Sequence, residues 1–486
     1  MKLTKEHKKI QTDVLVIGGG TAGFVASIAA ARNGARVTLM EQRDHLGGTH
    51  SGGMVMMIRS MRHMRAPRGA DEKIVMRAGY ESSYDDQQVV FSIAQEYLDR
   101  MIEVKSAWGA KGQATARQIF DPEIAKWVIE QMVVEAGVDV WFYSQATDIL
   151  MRDSTVGGLV IENLQERIEI DAKVTIDTTG DGDVCAAAGA PFEKGDPEHG
   201  CCQPLTLYFA LGGVDLEKTL AYMTGHADEF GQLYVSTILR LKEEGKPITL
   251  FPFKAKVKEA LKNNDYPIPY GRDSINPDIL HDPVRPMFRN GKFRYDITLH
   301  NMDMAFNVDA TNRKELTKAM IAMRDIAVRM AAFHRKYIPG YENCYLVHTA
   351  PVVGIRDSRR ITGDYTVTKD DVIAGRAFED AIGRYGSVID VHDKDGIHLK
   401  EVGGKGWFHI PYRALLPRGI DNLLVAGRCI SADYNAQGAT RSQAACMITG
   451  QAAGTAAAIA VKAGVGPREI SVKELQRVLV LQNQSI

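Results

Sequence analysis

The constraint that bears hardest on this chain lies in its first 41 residues. There G-x-G-x-x-G (Gly18, Gly20, Gly23) follows a β-branched run and opens a small apolar segment of helical length. Residues 14–17 (V-L-V-I) suit a strand covered on both faces. Residues 21–33 suit a helix with Gly34 as its stop, and residues 37–40 (V-T-L-M) suit the next strand. The result is one βαβ unit of about 30 residues. Each part has a physical use. The glycines allow a tight turn and a close approach to a pyrophosphate, and the helix N-terminus offers unpaired N–H groups. Glu41 stands 23 residues past Gly18 at the end of the second strand, where a carboxylate accepts ribose hydroxyls and repels a 2′-phosphate. Dinucleotide binding is therefore expected.

Charge and cysteine usage narrow the remaining classes. With 59 Lys+Arg against 60 Asp+Glu, no global field favours nucleic acid or an acidic membrane. Six cysteines in 486 residues are too sparse for a disulfide scaffold, which points to a reducing compartment and a cytoplasmic location. The basic start followed by apolar residues 14–31 imitates a signal peptide, but Gly18, Gly19 and Gly20 would break its hydrophobic helix. Residues 444–463 approach membrane-spanning length, yet Ala and Gly dominate them and Gln451 sits near their middle, so a buried helix is expected and no membrane span.

Further along, Asp121 and Pro122 cap a helical pattern that ends before Gly137, and strand-like runs follow at 138–143, 159–162, 167–170 and 174–176. Between 192 and 345 longer loops rich in Pro, aromatic and charged residues replace this rhythm, with one long helical pattern at 312–336. That shift marks an inserted domain. A strand-rich piece at 344–368, a buried strand at 422–426 and a long Ala-rich helix from about Arg441 complete the chain.

Several segments together carry a resemblance: D-V-L-V-I-G-G-G-T-A-G (13–23), Glu41, Gly47-Gly48, T-G-D-G-D (179–183), G-x-R-x-S-R-R-I-x-G-D-Y (354–365), N-L-L-V-A-G-R-C-I-S-A (422–432) and G-Q-A-A-G-T-A-A-A (450–458). The chain resembles the bacterial FAD-dependent oxidoreductases, which have the glutathione-reductase-type fold and are distant relatives of fumarate reductase and succinate dehydrogenase flavoproteins. The resemblance implies FAD as cofactor. It implies that Gly18, Gly20, Thr21, Ala22 and Gly23 meet the pyrophosphate and that Glu41 and Gln42 lie at the adenosine ribose. Gly47, Gly48 and Thr49 would lie near the ribityl chain, Gly180 and Asp181 on the adenosine side, and Gly427 and Arg428 at the pyrophosphate and ribityl. The turn Gln437, Gly438, Ala439, Thr440 would aim the following helix at the flavin pyrimidine, where a helix N-terminus stabilises an anionic reduced flavin. Gly450 and Gly454 read as close helix packing rather than a membrane dimer motif.

One departure stands out in T-H-S-G-G (49–53). His50 occupies a context similar to the histidine that bonds covalently to the flavin in succinate dehydrogenase relatives. Either His50 is such an attachment site or it is a polar loop residue. The Met- and Arg-rich run 54–68 also departs from the family pattern and reads as a lid or a subunit contact. Neither a second G-x-G-x-x-G nor a C-x-x-C occurs, which argues against a pyridine-nucleotide domain and against disulfide chemistry; Cys201 and Cys202 read as packed thiols.

Candidate catalytic residues are His348 as a general base, Arg356 and Arg360 as an anion clamp on one strand face with Arg359 on the other, and Tyr434, Asn435 and Arg441 beside the flavin-facing turn. His281, Arg285, His300 and Asn301 are candidates for the wall supplied by the insertion. The expectation is an α/β protein with a discontinuous Rossmann-like FAD domain (1–191 and 346–486) and an inserted α+β substrate or cap domain (192–345). The expected reaction is dehydrogenation of a CH–OH or CH–NH carbon of a small polar substrate. Reduction of an activated C=C bond, or a role as the flavin subunit of an electron-transfer complex, stays open. The electron acceptor is oxygen, a quinone or a carrier protein. A homo-oligomer is expected, with no metal and no nucleic acid.

Overall fold

Strand Glu6–Ile17 is the axis of the principal sheet, pairing in parallel with Val37–Met40 on one side and Glu166–Asp177 on the other, so that Val14 faces Val37 and Val174. Asp139–Trp141 extends the sheet beyond Val37–Met40. The far edge of Glu166–Asp177 is divided between two partners. Residues 167–171 pair antiparallel with Thr155–Glu162, which in turn pairs with Ala146–Arg152, while residues 175–177 pair in parallel with Leu423–Val425. This is the mixed α/β arrangement expected of a Rossmann-like FAD-binding fold. The structure, a computed structural model, describes residues 6–62, 87–115, 117–162 and 165–486.

Two elements are longer than the apolar pattern predicts. Asp171 and Lys173 suggest a break, but Glu166–Asp177 runs through them as one strand, because its edge changes partner there and leaves Asp171 half-buried and Lys173 exposed. The N-terminal extension is held by its parallel ladder, Glu6 opposite Glu166 through Thr12 opposite Ala172, with Lys8 paired to Glu166 at 3.3 Å and Lys9 to Glu169 at 3.0 Å beside it.

Helices Thr21–Arg32 and Gln443–Ala463 cross in backbone contact. A Cβ added at Gly450 would lie 2.3 Å from the Ala22 carbonyl oxygen, and one at Gly454 2.1 Å from that of Ala26. Four-residue spacing on both helices sets these contacts one turn apart. The apolar stretch of Gln443–Ala463 has a mean hydropathy of 1.5 and the length to cross a bilayer, but 89% of it is buried inside the fold.

A second hydrophobic core is built mostly from residues 205–353, joined by Met54, Met56 and Ile119. Its antiparallel sheet runs Val284–Arg289, Lys292–His300, Phe209–Gly212, Tyr345–Thr349. The helix Arg313–Tyr337, capped by the Asn312 side chain, supplies Met323, Ile326 and Met330 to that core. Tyr345–Thr349, which a boundary at 345 assigns to the returning segment, completes this sheet against Phe209–Gly212. The chain then closes a short ladder between Arg359–Ile361 and Phe192–Lys194. Next comes the hairpin Ile389–Asp393 with Gly396–Lys400, which brings Asp390 and His392 to the cavity described next.

Candidate active site

A single cavity of about 1250 Å³ extends from Glu41 and Gln42, past the glycine turn, to a cluster of charged side chains drawn from several distant segments of the chain. Its first half fits FAD. Gly18 has φ +98°, and a Cβ there would lie 2.6 Å from the Thr178 carbonyl oxygen; a Cβ at Gly23 would lie 1.8 Å from the Gly18 oxygen. These two glycines let the helix sit tightly on the strand. Gly20 differs, since an added Cβ meets nothing within 4 Å and Gly20 itself lines the cavity. It caps a 12-residue helix that has no side-chain cap and no acidic residue in its first turn, so the N–H groups there are available to a phosphate. The Glu41 carboxylate is buried and aimed: Gly19 N–H donates to Oε2 at 2.7 Å and Arg43 N–H to Oε1 at 2.9 Å.

Thr21, Ala22, Gln42, Gly48, Thr49, Gly180, Asp181, Gly427 and Arg428 line the same space. Arg428 organises one wall: its Nε donates to the Gly180 carbonyl at 2.7 Å, and its terminal nitrogens reach the Ile355 carbonyl and the Asp181 carboxylate. Gly47 lies behind the wall, where a Cβ would strike Ser51. The four-residue turn at 437–440 is itself the last part of a helix, Tyr434–Thr440. Gly438 alone of the four faces the cavity, because Gln437 turns to donate to the Arg356 carbonyl at 2.8 Å, while Ala439 and Thr440 are buried. Ser442, Gln443 and Cys446, at the start of the long helix, line the cavity.

Five sequence-predicted residues, His50, His348, Arg360, Tyr434 and Asn435, lie off the cavity wall. His50 is fully buried and absent from the cavity wall; its ring stacks on Phe120 with centroids 4.3 Å apart, and Nε2 is hydrogen-bonded to the Tyr97 hydroxyl at 2.6 Å. Burial pushes this imidazole down to about 3, so it is neutral. This packing corrects the covalent-attachment expectation. His348 is exposed on the edge strand of the insertion, away from the cavity, and so is not placed to act as a base on a substrate there. Arg360 is locked to Asp357 at 2.9 Å and to the Gly195 carbonyl at 2.9 Å, with its guanidinium over the Tyr434 ring. Tyr434 and Asn435 accordingly sit off the cavity wall. The three-arginine alternation fails because the strand spans only Arg359–Ile361, leaving Arg356 in a preceding loop that does reach the cavity. Arg359 pairs with Asp183 at 2.7 Å.

Of the run 54–68, residues 63–68 lie outside the described residues. Met54 and Met56 pack into the insertion's core, while Val55, Met57 and Arg59 line the cavity, so this part is wall rather than a free lid. Cys201 is exposed and Cys202 half-buried, with the Cys202 thiol pushed up to about 12 by burial; both are free.

The second half of the cavity is a charged network. His392 stands between two carboxylates, with Nδ1 2.9 Å from Asp303 Oδ2 and Nε2 3.0 Å from Asp390 Oδ1. Two acceptors require two ring donors, hence an imidazolium. Burial lowers this imidazole, but Asp303 and Asp390 outweigh burial and hold it above its ordinary value. Burial likewise opposes ionisation of both carboxylates, yet Arg356 and His392 hold Asp303, and His392 and Arg59 hold Asp390, well below the usual range. Arg356 pairs with Asp303 at 2.8 Å and Arg59 with Asp390 at 2.5 Å. Arg285 and Arg441 differ, having no carboxylate at ion-pair distance among the described residues. Arg285 Nε donates to the Thr249 hydroxyl at 3.2 Å, and Arg441 to the Asp390 carbonyl at 2.7 Å and to Gln203 at 3.2 Å. Burial lowers both, Arg441 to about 10. His281 lines the cavity with Nδ1 3.7 Å from Asp303 and without a hydrogen bond among the described residues; burial holds it below its ordinary value. Asn301 lines the wall beside it, whereas His300 faces inward, stacked on Phe209.

Arg59 was singled out from sequence only as part of the run 54–68, and Tyr208, Asp303, Asp390 and His392 were not singled out. For the last two a signal existed: in I-D-V-H-D (389–393) strand alternation puts Asp390 and His392 on one face.

Comparison with known proteins agrees with the cofactor half. Digeranylgeranylglycerophospholipid reductase of Methanosarcina acetivorans is 26% identical over 294 residues, 58% of this chain and 61% of the relative. Digeranylgeranylglycerophospholipid reductase 1 of Methanococcoides burtonii is 27% identical over 223 residues, 44% of this chain and 48% of the relative. The chain thus spans less than two thirds of either. A solved geranylgeranyl bacteriochlorophyll reductase-like protein from Thermoplasma acidophilum aligns over 98% of this chain and 85% of its own at 13% identity, with a TM-score of 0.41. The FAD dependent oxidoreductase family matches residues 13–479, so the chain belongs to that family, an enzyme with FAD as its cofactor.

Proposed function

We propose that this flavoenzyme is a dehydrogenase of a small carboxylate-bearing substrate, removing hydride from its CH–OH or CH–NH carbon. The carrying observation is Arg285, a buried guanidinium that lines the cavity and lacks a carboxylate partner among the described residues. A buried charge left without a counter-ion costs several kcal/mol, which an anionic ligand offsets. Arg441 and Arg356 supply further donors from the same wall, and a charge-assisted bond of this kind contributes about 1.5–3 kcal/mol.

FAD, when bound, supplies the hydride acceptor. The chain's own residues bind, orient and move the proton. Asp303 carries Arg356 and His392 and so fixes the face on which a carboxylate can sit. His281, the wall imidazole without a hydrogen bond, takes the substrate proton at a ring nitrogen while hydride leaves. Reduction of a C=C bond conjugated to a carboxylate uses the same groups in reverse, and the relatives named above as reductases favour keeping that direction under test.

The test is anaerobic mixing of the holoenzyme with small hydroxy and amino acids and with their neutral amides, reading loss of the oxidised flavin spectrum. Bleaching by the acids, slowed by about 100-fold or more in His281→Gln, supports the reading. Bleaching by the neutral compounds at the same rate overturns it.

A further inference from the structure

Behind the cavity wall lies a second group of titratable side chains that the proposed reaction does not use. Asp282, His300 and His334 each offer one ligand atom, and these atoms all lie within 4.8 Å of one another. Exposure is 4% for Asp282, 0% for His300 and 5% for His334. Asp282 Oδ1 and His300 Nδ1 face each other at 3.6 Å, and neither has a hydrogen-bond partner among the described residues. Leaving a buried carboxylate oxygen and a ring nitrogen without hydrogen bonds is unfavourable, so the arrangement asks for something between them.

The outer atoms of both rings are already engaged. His334 Nδ1 is 2.8 Å from the Met330 carbonyl, and His300 Nε2 is 3.2 Å from the Thr298 hydroxyl. Metal-ligating histidines are held in this way, with the distal ring nitrogen bonded to a carbonyl or other oxygen so that the proximal one presents its lone pair. A small cavity of about 20 Å³ is lined by Asp282, His334 and Tyr266. That is room for one water, which needs ≳ 10–15 Å³, and the buried Tyr266 hydroxyl beside it also lacks a partner among the described residues. Among the described residues no lysine or arginine pairs with Asp282.

We infer that Asp282, His300 and His334 bind one divalent transition-metal ion, zinc or iron(II), with a water in the small cavity as fourth ligand. Two imidazoles, one carboxylate and a water are a recurrent ligand set for these ions. The other grouping of this kind, His281, Asp303 and His392, does not suit a cation, because Asp303 already carries Arg356 at 2.8 Å. The buried site has a consequence for the cavity. Asp282 follows His281 and His300 precedes Asn301, and both neighbours line the cavity. An ion joining Asp282 to His300 would therefore tie together the two segments that present those side chains.

The test uses the full-length flavoprotein purified without chelator. Elemental analysis is expected to give near one zinc or iron per chain, and chelator-treated protein to regain one equivalent of added Zn2+. In Asp282→Asn and His334→Gln, content at equal flavin loading should fall by at least about tenfold. If a variant fails to fold, X-ray absorption at the zinc edge of the reloaded wild type decides, since the site requires about four nitrogen or oxygen neighbours with imidazole outer scattering. Wild-type protein that neither contains nor takes up metal overturns the inference. So does full metal retention in both variants, or a zinc shell containing sulfur or only oxygen.

Discussion

Gly20 and Gly23 are two residues of one motif that should fail in different ways. At Gly23 an alanine Cβ would lie 1.8 Å from the Gly18 carbonyl oxygen, where ordinary contact begins at 3.4 Å. The helix must retreat by the difference, about 1.6 Å, or the strand end must distort, and overpacking of this kind costs about 1–3 kcal/mol or more. At Gly20 the added methyl meets nothing, and φ −67° with ψ −171° is open to any residue. Replacing the glycine N-cap by alanine costs about 0.5–1 kcal/mol, less than the clash at Gly23. The methyl instead occupies the space through which a pyrophosphate approaches the helix N-terminus. Thermal melts of the apoproteins with flavin-to-protein ratios separate the two effects. Gly20→Ala should melt only slightly below wild type and bind FAD at least about tenfold more weakly, a loss of about 1.4 kcal/mol, whereas Gly23→Ala should melt much lower even without cofactor. Wild-type FAD affinity in Gly20→Ala would refute the placement of the pyrophosphate.

Other outcomes follow from the same geometry. Arg428→Met frees the Gly180 and Ile355 carbonyls and the Asp181 carboxylate together, and should cost about 2–3 kcal/mol in the melt and lower flavin retention. Gly454→Val sets a side chain 2.1 Å from the Ala26 carbonyl and should destabilise by about 3 kcal/mol or more by denaturant titration, with separation of the two helices as the cause. His50 is neutral when folded, with its imidazole pushed down to about 3 by burial, against 6.5 unfolded. Its contribution is present above pH 6.5 and is lost as pH falls, because the unfolded chain takes the proton first. At pH 4.5 the loss is about 2–3 kcal/mol. His50→Gln should flatten that acid limb of the stability profile, and an unchanged limb would show that His50 is not buried as described.

The cofactor half was legible in the sequence because its requirements are local. Gly18, Gly23 and Glu41 act within one βαβ unit, and their spacing fixes their positions once the strand and helix are recognised. The helix crossing at Gly450 and Gly454 was legible for a similar reason, since small residues one turn apart can mean only close approach or cavity. The substrate half was not, because it is assembled from distant segments. Asp303, His392 and Arg356 meet only after the insertion's sheet, the Ile389–Asp393 strand and the loop before Arg359–Ile361 have folded. His348 was misplaced for a related reason: Tyr345–Thr349 is an edge strand of the insertion, and its histidine falls on the solvent face. His50 carried a motif context that suggested a flavin contact, but the aromatic pair Tyr97 and Phe120 claims its ring.

The most direct test of the central claim, that an anion sits at Arg285 beside the flavin, is a titration of the holoenzyme with a non-reacting carboxylate such as malonate, following the flavin absorbance. A saturable spectral shift is predicted, with affinity reduced by about tenfold or more in Arg285→Met at unchanged flavin content. No shift with any carboxylate, or the same affinity in wild type and Arg285→Met, would contradict it.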